Sequence, residues 1–297
     1  PIGSELSLAQ LRTRQWLENV GGRLRTFAAS AENGETDWVV EEGRQRAVTF
    51  KPVRVSEFAE EYLFSYARRV VMLSATILDA DTYLAGLGID SSEAEIIRVD
   101  SHFPVRNRPV VLRPAARLSR HHLEENLPRL AAAVEEIMAE HPDEKGVIHT
   151  HSYRINSYLQ RHLSARARER LITHHDSSGR DAALFSHLNS PDASVLLTPS
   201  MTEGIDLPGD LARWQVLCKV PYPNLGDAQV RGRTDQDPAW YAWRTCLGIV
   251  QAYGRSVRSV DDYAVTYLLD AAFPSYLARQ RANLPGWFLE AVEEGQY

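Results

Sequence analysis

The stretch QAYGRSVRSVDDYAVTYLLD, residues 251–270, carries the strongest indication of the fold. Arg255 and Arg258 lie three residues apart behind Gly254, and the chain then enters an apolar run at residues 264–269. Such a run is too short for a helix and lacks polar alternation, which is typical of a strand buried in a parallel sheet. Two cations on a tight turn beside that strand face either water or an anion.

Five similar apolar runs precede this one and alternate with helical patterns. They lie at residues 110–112, 146–149, 171–173, 195–198 and 215–220. The intervening helices are predicted to be capped by Asn126 and Ser152, to run through Leu184 and Leu188, and to open at Asp237-Pro238. Alternating strands and helices of this kind predict an α/β fold with a parallel sheet covered by helices on both faces. Ligands of such sheets bind beyond the carboxyl ends of the strands.

The first part of the chain has a different pattern. Ser7 and Gln10 predict a capping box for a helix over residues 7–29, two short strands are expected around Val39 and at 48–50, and Ser56 is expected to cap another helix. The run VVMLSAT, residues 70–76, is predicted to be a strand that ends in hydroxyl side chains. Asp79 is expected to cap a short helix that ends at Gly88.

Composition restricts the class of protein without identifying it. The 297 residues are 44% hydrophobic and 24% charged, with a formal net charge of −6. They contain no apolar run long enough to span a membrane, so no membrane partner is expected. Cys218 and Cys246 are too far apart to suggest a disulfide framework, which favours a reducing, cytoplasmic location. The start of the sequence lacks an initiator Met and reads like the start of a fragment.

Four segments beside predicted strands carry polar chemistry. They are LSAT (73–76), GVIHTHSYR (146–154), SVLLTPSMTEGIDLPGD (194–210) and QAYGRSVR (251–258). Each segment alone has a simpler interpretation as a helix cap, an Asx turn or a surface ion pair. Their order along one parallel sheet is what makes them informative together.

These four segments resemble motifs III, IV, V and VI of superfamily 2 helicases, and are most similar to the XPD/DinG type. The resemblance covers roughly residues 60–290 and extends to VPYPN and to the closing LLDAAFPSYL and LPGWF. It implies a RecA-like second motor domain over residues 78–297. Residues 1–77 would then be the end of an arch-like insertion and a remnant of the first motor domain, including motif III. Because most strands of that first domain are missing from the 297 residues, residues 35–77 are expected to pack unusually or to expose a strand edge.

The resemblance also implies roles for individual residues. Arg255 and Arg258 match the arginines that reach the γ-phosphate of ATP, and cations there neutralise charge during phosphoryl transfer. The ATP-binding residues implied are Glu203, Gly204, Asp206, Gln251 and Gly254. The implied contacts to single-stranded DNA, which position the strand without reading its sequence, come from Ser74, Thr76, Thr150, Ser152, Tyr153, Arg154, Ser200 and Thr202.

Two parts of a complete motor are missing from the 297 residues. There is no G-x-x-x-x-G-K-[ST] loop and no Asp-Glu-Ala-His-like run. The resemblance implies ATP and Mg²⁺ as cofactors. Because the two motifs are missing here, the Mg²⁺ ligands are expected in an N-terminal motor half, in the same or a separate chain. An iron–sulfur cluster, which many family members carry, is expected only in that half. The chain by itself is predicted to hydrolyse no ATP.

Two alternatives remain open from the residues. One is a non-catalytic nucleic-acid-binding module on the same fold, although such a module has no need of two γ-phosphate arginines. The other is a metal-dependent hydrolase, suggested by His149 and His151, which lie two residues apart at a strand end. No third ligand follows from the spacing, so no metal site is predicted.

Overall fold

The computed structural model describes residues 7–34, 36–42, 47–174, 176, 178–200 and 205–294, with side chains described as far as residue 292. These residues form two compact units. One comprises the described residues as far as Met72 together with Asp81–Glu95 and Asn224–Trp240; the other comprises Leu73–Ala80, Ile96–Pro223 and the described residues from Tyr241 onward. The domain boundary after residue 77, which was drawn from the resemblance, stays a prediction.

The first unit is built around a helix and a hairpin. Helix α1 (Leu8–Asn33) begins with the predicted capping box of Ser7 and Gln10 and ends at Gly34, whose φ of 65° is readily adopted by glycine. Strands β1 (Trp38–Glu42) and β2 (Val48–Pro52) pair antiparallel, which confirms the two predicted strands. Phe27 packs edge-on against Trp38 and tilted against Phe50, so α1 is joined to the hairpin by aromatic rings.

Two predictions for this part of the chain are wrong. Ser56 does not cap a helix: it is the first residue of α2 (Ser56–Ala59), which runs into a π-helical turn at Glu60–Phe64, and Val55 stands at the cap position. Residues 70–76 form no strand. Val71 is 82% and Leu73 91% exposed, because a strand needs hydrogen-bonding neighbours and no described strand lies beside them.

The second unit contains a parallel sheet of seven described strands. They are β3 (Val110–Ala116), β4 (Gly146–His149), β5 (Leu171–Thr173), β6 (Val195–Thr198), β7 (Trp214–Leu217), β8 (Val265–Asp270) and β9 (Val292–Glu294). Their order is β5-β6-β4-β7-β8-β3-β9, and every neighbouring pair is parallel. The predicted parallel α/β sheet is confirmed, with β9 as a strand that the sequence did not indicate.

The remaining described helices belong to both units. They are α3 (Ala80–Leu87), α4 (Leu123–Glu140), α5 (Tyr153–His162), α6 (Ala165–Glu169), α7 (Arg180–Asn189), α8 (Ala228–Gln236), α9 (Pro238–Tyr253), α10 (Phe273–Arg279) and α11 (Gly286–Leu289). Ser152 caps α5 as predicted, since its hydroxyl accepts from the amide of Ile155. Asn126 was wrongly predicted as a cap: α4 begins three residues earlier, and the Asn126 side chain donates to the carbonyls of Arg117 and His122.

Helices cover both faces of the sheet. On one face Leu130, Ile137 and Leu159 of α4 and α5 pack against Ile148 and Val216 in the strands. On the other face α9, α10 and α11 pack against β3, β7 and β8, while α7 covers Val147 and Leu196. Because side chains alternate along a strand, His149 and Gln215 point to this second face, beside α9. No helix among the described residues is long and apolar enough to cross a membrane.

Candidate functional site

The turn after α9 holds both predicted arginines against the segment 205–207. Arg255 donates from Nη1 to the carbonyl of Ile205 at 3.1 Å, and its own carbonyl accepts from the amide of Leu207 at 3.4 Å. The Arg258 guanidinium forms an ion pair with Asp206 through Nε. Arg258 and Asp206 are both exposed, with 37% and 68% of their side chains accessible, so this pair can exchange for a ligand at low cost.

A buried carboxylate fixes the position of this turn. Asp262 is 6% exposed and accepts at Oδ2 from the amides of Arg258 and Gly209, both at 3.1 Å. Its Oδ1 accepts from Arg213 Nη1 at 2.7 Å and from the amide of Tyr263 at 2.9 Å. One side chain therefore joins the arginine turn, the segment after residue 205 and the start of β7.

The other two predicted residues of this turn lie at the end of α9. Gly254 donates its amide to the carbonyl of Val250 at 3.0 Å, and an added Cβ would approach that oxygen to 3.3 Å. The turn is therefore tight at Gly254. Gln251 is half-buried, and its Oε1 is buried without a hydrogen-bond partner.

Three predicted nucleic-acid contacts meet at the carboxyl ends of β4 and β6. The amide of Thr150 donates to the carbonyl of Thr198 at 2.9 Å, which joins the two strand ends. The Thr150 hydroxyl is buried and within hydrogen-bonding distance of the carbonyls of Ser152 and Thr198, so a phosphate contact would require it to leave them. Ser200 is exposed, and the Ser152 hydroxyl caps α5, at a helix N-terminus suited to an anion.

Tyr153 and Arg154 form the exposed first turn of α5. Tyr153 is 52% exposed and free to stack, whereas Arg154 forms an ion pair with Glu124 at 2.5 Å. Because both partners of that pair are more than half exposed, it is weakly stabilising and does not prevent Arg154 from binding a phosphate.

Ser74 and Thr76 lie in a turn rather than at a strand end. The Ser74 hydroxyl accepts from the amide of Thr76 at 3.1 Å and lies 3.4 Å from the Thr76 hydroxyl. The segment is held by Trp243 of α9, whose Nε1 donates to the carbonyl of Ile77 at 2.9 Å. The predictions for Thr202, Glu203 and Gly204 lie outside the described residues.

Arg258 and the hydroxyl cluster lie at opposite edges of the sheet. Arg258 is bonded to Asp262, which precedes the start of β8, whereas Thr150 and Ser200 follow the ends of β4 and β6. In a parallel sheet all strand starts share one edge and all strand ends the other. Arg255 bridges this separation, since its charge acts on His149, the last residue of β4.

The histidine pair considered as a metal site is buried among positive charges. The rings of His149 and His151 are 6.1 Å apart. Burial, then the charges of His151 and Arg255, lower the pKa of His149 to about 3, while burial and Lys219 lower the pKa of His151 to about 4. Both rings are therefore neutral at pH 7, and the cations near them disfavour a metal ion. Among the described residues no group of three or more His, Cys, Asp or Glu side chains is arranged to hold a metal.

Sequence reasoning missed the residues that hold the arginine turn in place. Asp262 is one of two adjacent aspartates, and only the tertiary structure shows that it is buried while Asp261 is exposed. Gln215 stands in a strand that read as continuously apolar, yet its Nε2 donates to the carbonyl of Tyr253 and to Thr266 Oγ1, both at 2.8 Å. A polar residue inside an apolar strand was the available signal for Gln215.

Comparison with known proteins adds evidence from outside this chain. A family model described as the helicase C-terminal domain matches residues 134–291. The chain is 29% identical over 115 residues to ATP-dependent DNA helicase CHL1 of Scheffersomyces stipitis, covering 33% of this chain and 14% of that protein. It is 30% identical over 123 residues to ATP-dependent DNA helicase DDX11 of Mus musculus, covering 36% of this chain and 13% of that protein.

Solved structures agree on the fold. An XPD helicase structure superposes over 98% of this chain and 56% of its own, with a TM-score of 0.64 and 17% identity. An apo XPD structure superposes over 94% and 61% respectively, with a TM-score of 0.61 and 17% identity. The sheet is thus RecA-like. With the family model matching more than half of its residues, the chain belongs to the helicase C-terminal domain family.

Proposed function

We propose that this chain is the second motor domain of an ATP-dependent DNA helicase or translocase. Its arginine turn would complete an ATP site formed with an N-terminal motor half, and its opposite edge would form part of a track for single-stranded DNA. The observation that carries the proposal is that Arg255 and Arg258 occupy one turn, which Asp262 fixes against the 205–207 segment.

Arg258 is suited to respond to a phosphate. In this structure its charge is balanced by Asp206 in an exposed ion pair, which contributes little stability. A γ-phosphate offers more charge and more acceptor oxygens than one carboxylate, so it would compete for the guanidinium. Asp206 would then be released to a second role beside the nucleotide.

Arg255 is held differently. It is half-buried and bonded through both its guanidinium and its carbonyl to the 205–207 segment. A guanidinium fixed in this way is pre-oriented, and pre-oriented cations stabilise the charge that develops during phosphoryl transfer. We assign Arg255 to the transition state and Arg258 to sensing the bound phosphate.

The carboxyl edge is suited to a nucleic-acid backbone. It combines the N-terminus of α5, the exposed Ser200 and the exposed ring of Tyr153. These groups bind phosphates and stack on bases without reading a sequence. Because Arg258 lies at the other edge of the sheet, the two ligands can bind together.

The experiment is ATP hydrolysis by a protein that joins this chain to an N-terminal half carrying the Walker motifs and the Mg²⁺ ligands. Hydrolysis stimulated by single-stranded DNA is expected, with a loss of roughly a hundredfold or more in Arg255→Ala and in Arg258→Ala. Arg281→Ala, at an exposed position away from the turn, is the matched control and should leave the rate unchanged.

Three further results would bear on the proposal. The 297-residue chain alone should hydrolyse no ATP above background, since it contains neither Walker motif. Full activity in both arginine variants of the completed protein would contradict the assignment of the turn. DNA binding by this chain, with no hydrolysis by the completed protein, would favour the non-catalytic binding module instead.

A further inference from the structure

His149 and Gln215 place unpartnered polar atoms inside the sheet. His149 is 1% exposed, and neither of its ring nitrogens forms a hydrogen bond of normal geometry, although the Gln215 side chain lies close enough to oppose the lowering of the His149 pKa. Gln215, also 1% exposed, leaves its Oε1 without a partner. In the pairing of β4 with β7, Val147 lies opposite Gln215 and His149 opposite Leu217, so His149 and Gln215 are diagonal neighbours on one face.

Gln215 is bonded directly to the chain that carries the arginines. Its Nε2 donates to the carbonyl of Tyr253, the last residue of α9, at 2.8 Å. Arg255 follows two residues later. Gln251, in the last turn of the same helix, also has a buried Oε1 without a partner.

His149 is connected to the opposite edge of the sheet. It is the last residue of β4 and is followed by Thr150, His151 and Ser152. The ring of His151 lies 6.1 Å from that of His149, its Nε2 is buried without a partner, and its backbone φ is 49°, a region that non-glycine residues seldom occupy. The chain therefore passes from the buried His149 to the α5 cap through a strained residue.

Buried polar groups without partners make the region around His149 and Gln215 sensitive to small displacements. A buried donor or acceptor without a partner is unfavourable, so an arrangement that brings these atoms into hydrogen bonds competes with the present one. Coupling between sites requires an element with two discrete arrangements that both sites bias.

We propose that His149 and Gln215 form a coupling junction through which single-stranded nucleic acid, bound at residues 150–153, changes the position of the arginine turn at residues 254–258. Binding displaces His151 and His149, and Gln215 passes the displacement to the carbonyl of Tyr253. Both are positioning residues, since neither touches a ligand. This inference rests on the proposed function.

The test is hydrogen–deuterium exchange of this chain, with and without a short single-stranded oligo(dT). In the unsubstituted chain, oligo(dT) should slow amide exchange by at least about fivefold at residues 150–156. It should change the exchange rate by a similar factor at residues 253–258. His149→Phe and Gln215→Leu should each reduce the response at 253–258 to below about twofold, while DNA affinity and the response at 150–156 are kept.

Two controls separate coupling from loss of structure. His149→Gln retains a donor and an acceptor at this place and should preserve the response at 253–258. Thr245→Val changes another buried polar side chain of α9, whose hydroxyl donates within the helix to the carbonyl of Tyr241, and should leave both responses intact.

Three results would overturn the inference. The first is a parent chain that binds oligo(dT) and is protected at 150–156 but does not respond at 253–258. The second is a response at 253–258 that persists in both His149→Phe and Gln215→Leu. The third, a chain that does not bind oligo(dT) at all, would overturn the assignment of the carboxyl edge as well, and is distinguished by the absence of protection at 150–156.

Discussion

Replacement of Asp262 by Ala is expected to destabilise the sheet-containing unit and release the arginine turn. The carboxylate accepts four hydrogen bonds, three from the backbone amides of Arg258, Gly209 and Tyr263 and one from the guanidinium of Arg213. Asp262 is 6% exposed, so its removal leaves donors that water reaches poorly.

The magnitude follows from these donors. A donor that loses a buried partner costs about 1–3 kcal/mol, and three backbone amides lose theirs, those of Arg258, Gly209 and Tyr263; the lower end applies to each because these bonds are only partly buried. Loss of the hydrogen bond from Arg213 costs less, because Asp210 still accepts from the Arg213 Nε and Nη2 at 2.9 and 2.7 Å. The expected loss is about 3–5 kcal/mol for Asp262→Ala, and about 1–3 kcal/mol for Asp262→Asn, which keeps one acceptor oxygen.

The assay is urea unfolding followed by tryptophan fluorescence, with Asp261→Ala as the matched control. At an m-value of about 2 kcal/mol/M, the midpoint for Asp262→Ala should fall by roughly 1.5–2.5 M. Asp261 is exposed, so Asp261→Ala should change stability by less than about 0.5 kcal/mol. A loss below about 1 kcal/mol for Asp262→Ala would refute the conclusion that this carboxylate anchors the turn.

Two further predictions concern the core. Burial lowers the pKa of His187 to about 4, so its neutral form contributes stability that is fully present above the unfolded pKa of about 6.5 and is lost as the pH falls towards 4. Between pH 4 and 6.5 the unsubstituted protein should take up about one proton more on unfolding than the His187→Gln variant, as measured by potentiometric titration or by the pH dependence of the free energy of unfolding. Equal proton uptake by the two proteins would contradict a buried neutral ring. Gly146→Ala should destabilise by about 3 kcal/mol or more in urea, because its Cβ would lie 2.1 Å from the buried ring of Trp214. Gly22→Ala, inside α1 and with nothing within 4 Å, should stabilise by about 0.5–1 kcal/mol, and equal effects at the two glycines would refute the packing argument.

Local signals predicted the regular elements where the residues that determine them lie close in sequence. The apolar runs at 146–149, 171–173 and 195–198 are β4, β5 and β6 at those same bounds. Ser7 and Ser152 cap their helices as predicted, since a capping bond needs only the next three residues. Asn126 has the same chemistry as a cap, but α4 begins before it, and a helix start is often uncertain by a few residues from sequence.

The run at 70–76 shows where local signals fail. Its composition is that of a buried strand, yet a strand exists only when neighbouring strands supply hydrogen bonds along its edges. Those neighbours are not among the described strands, and Val71 and Leu73 are exposed. If the proposed N-terminal motor half supplies a sheet beside them, these residues are expected to form a strand.

The amino-acid sequence by itself determined the parallel α/β class, the order of the four motif-bearing segments and the identity of the two arginines, because periodicity and motif spacing are properties of the chain. The tertiary structure alone decided which groups act together. It placed Arg258 and Thr150 at opposite edges of the sheet, buried Asp262 rather than Asp261 under the arginine turn, and set His149 beside Gln215 between the two edges. The burial of a side chain and its hydrogen-bond partners depend on residues far apart in sequence. Such residues come together only when the strands pair and the helices cover the sheet.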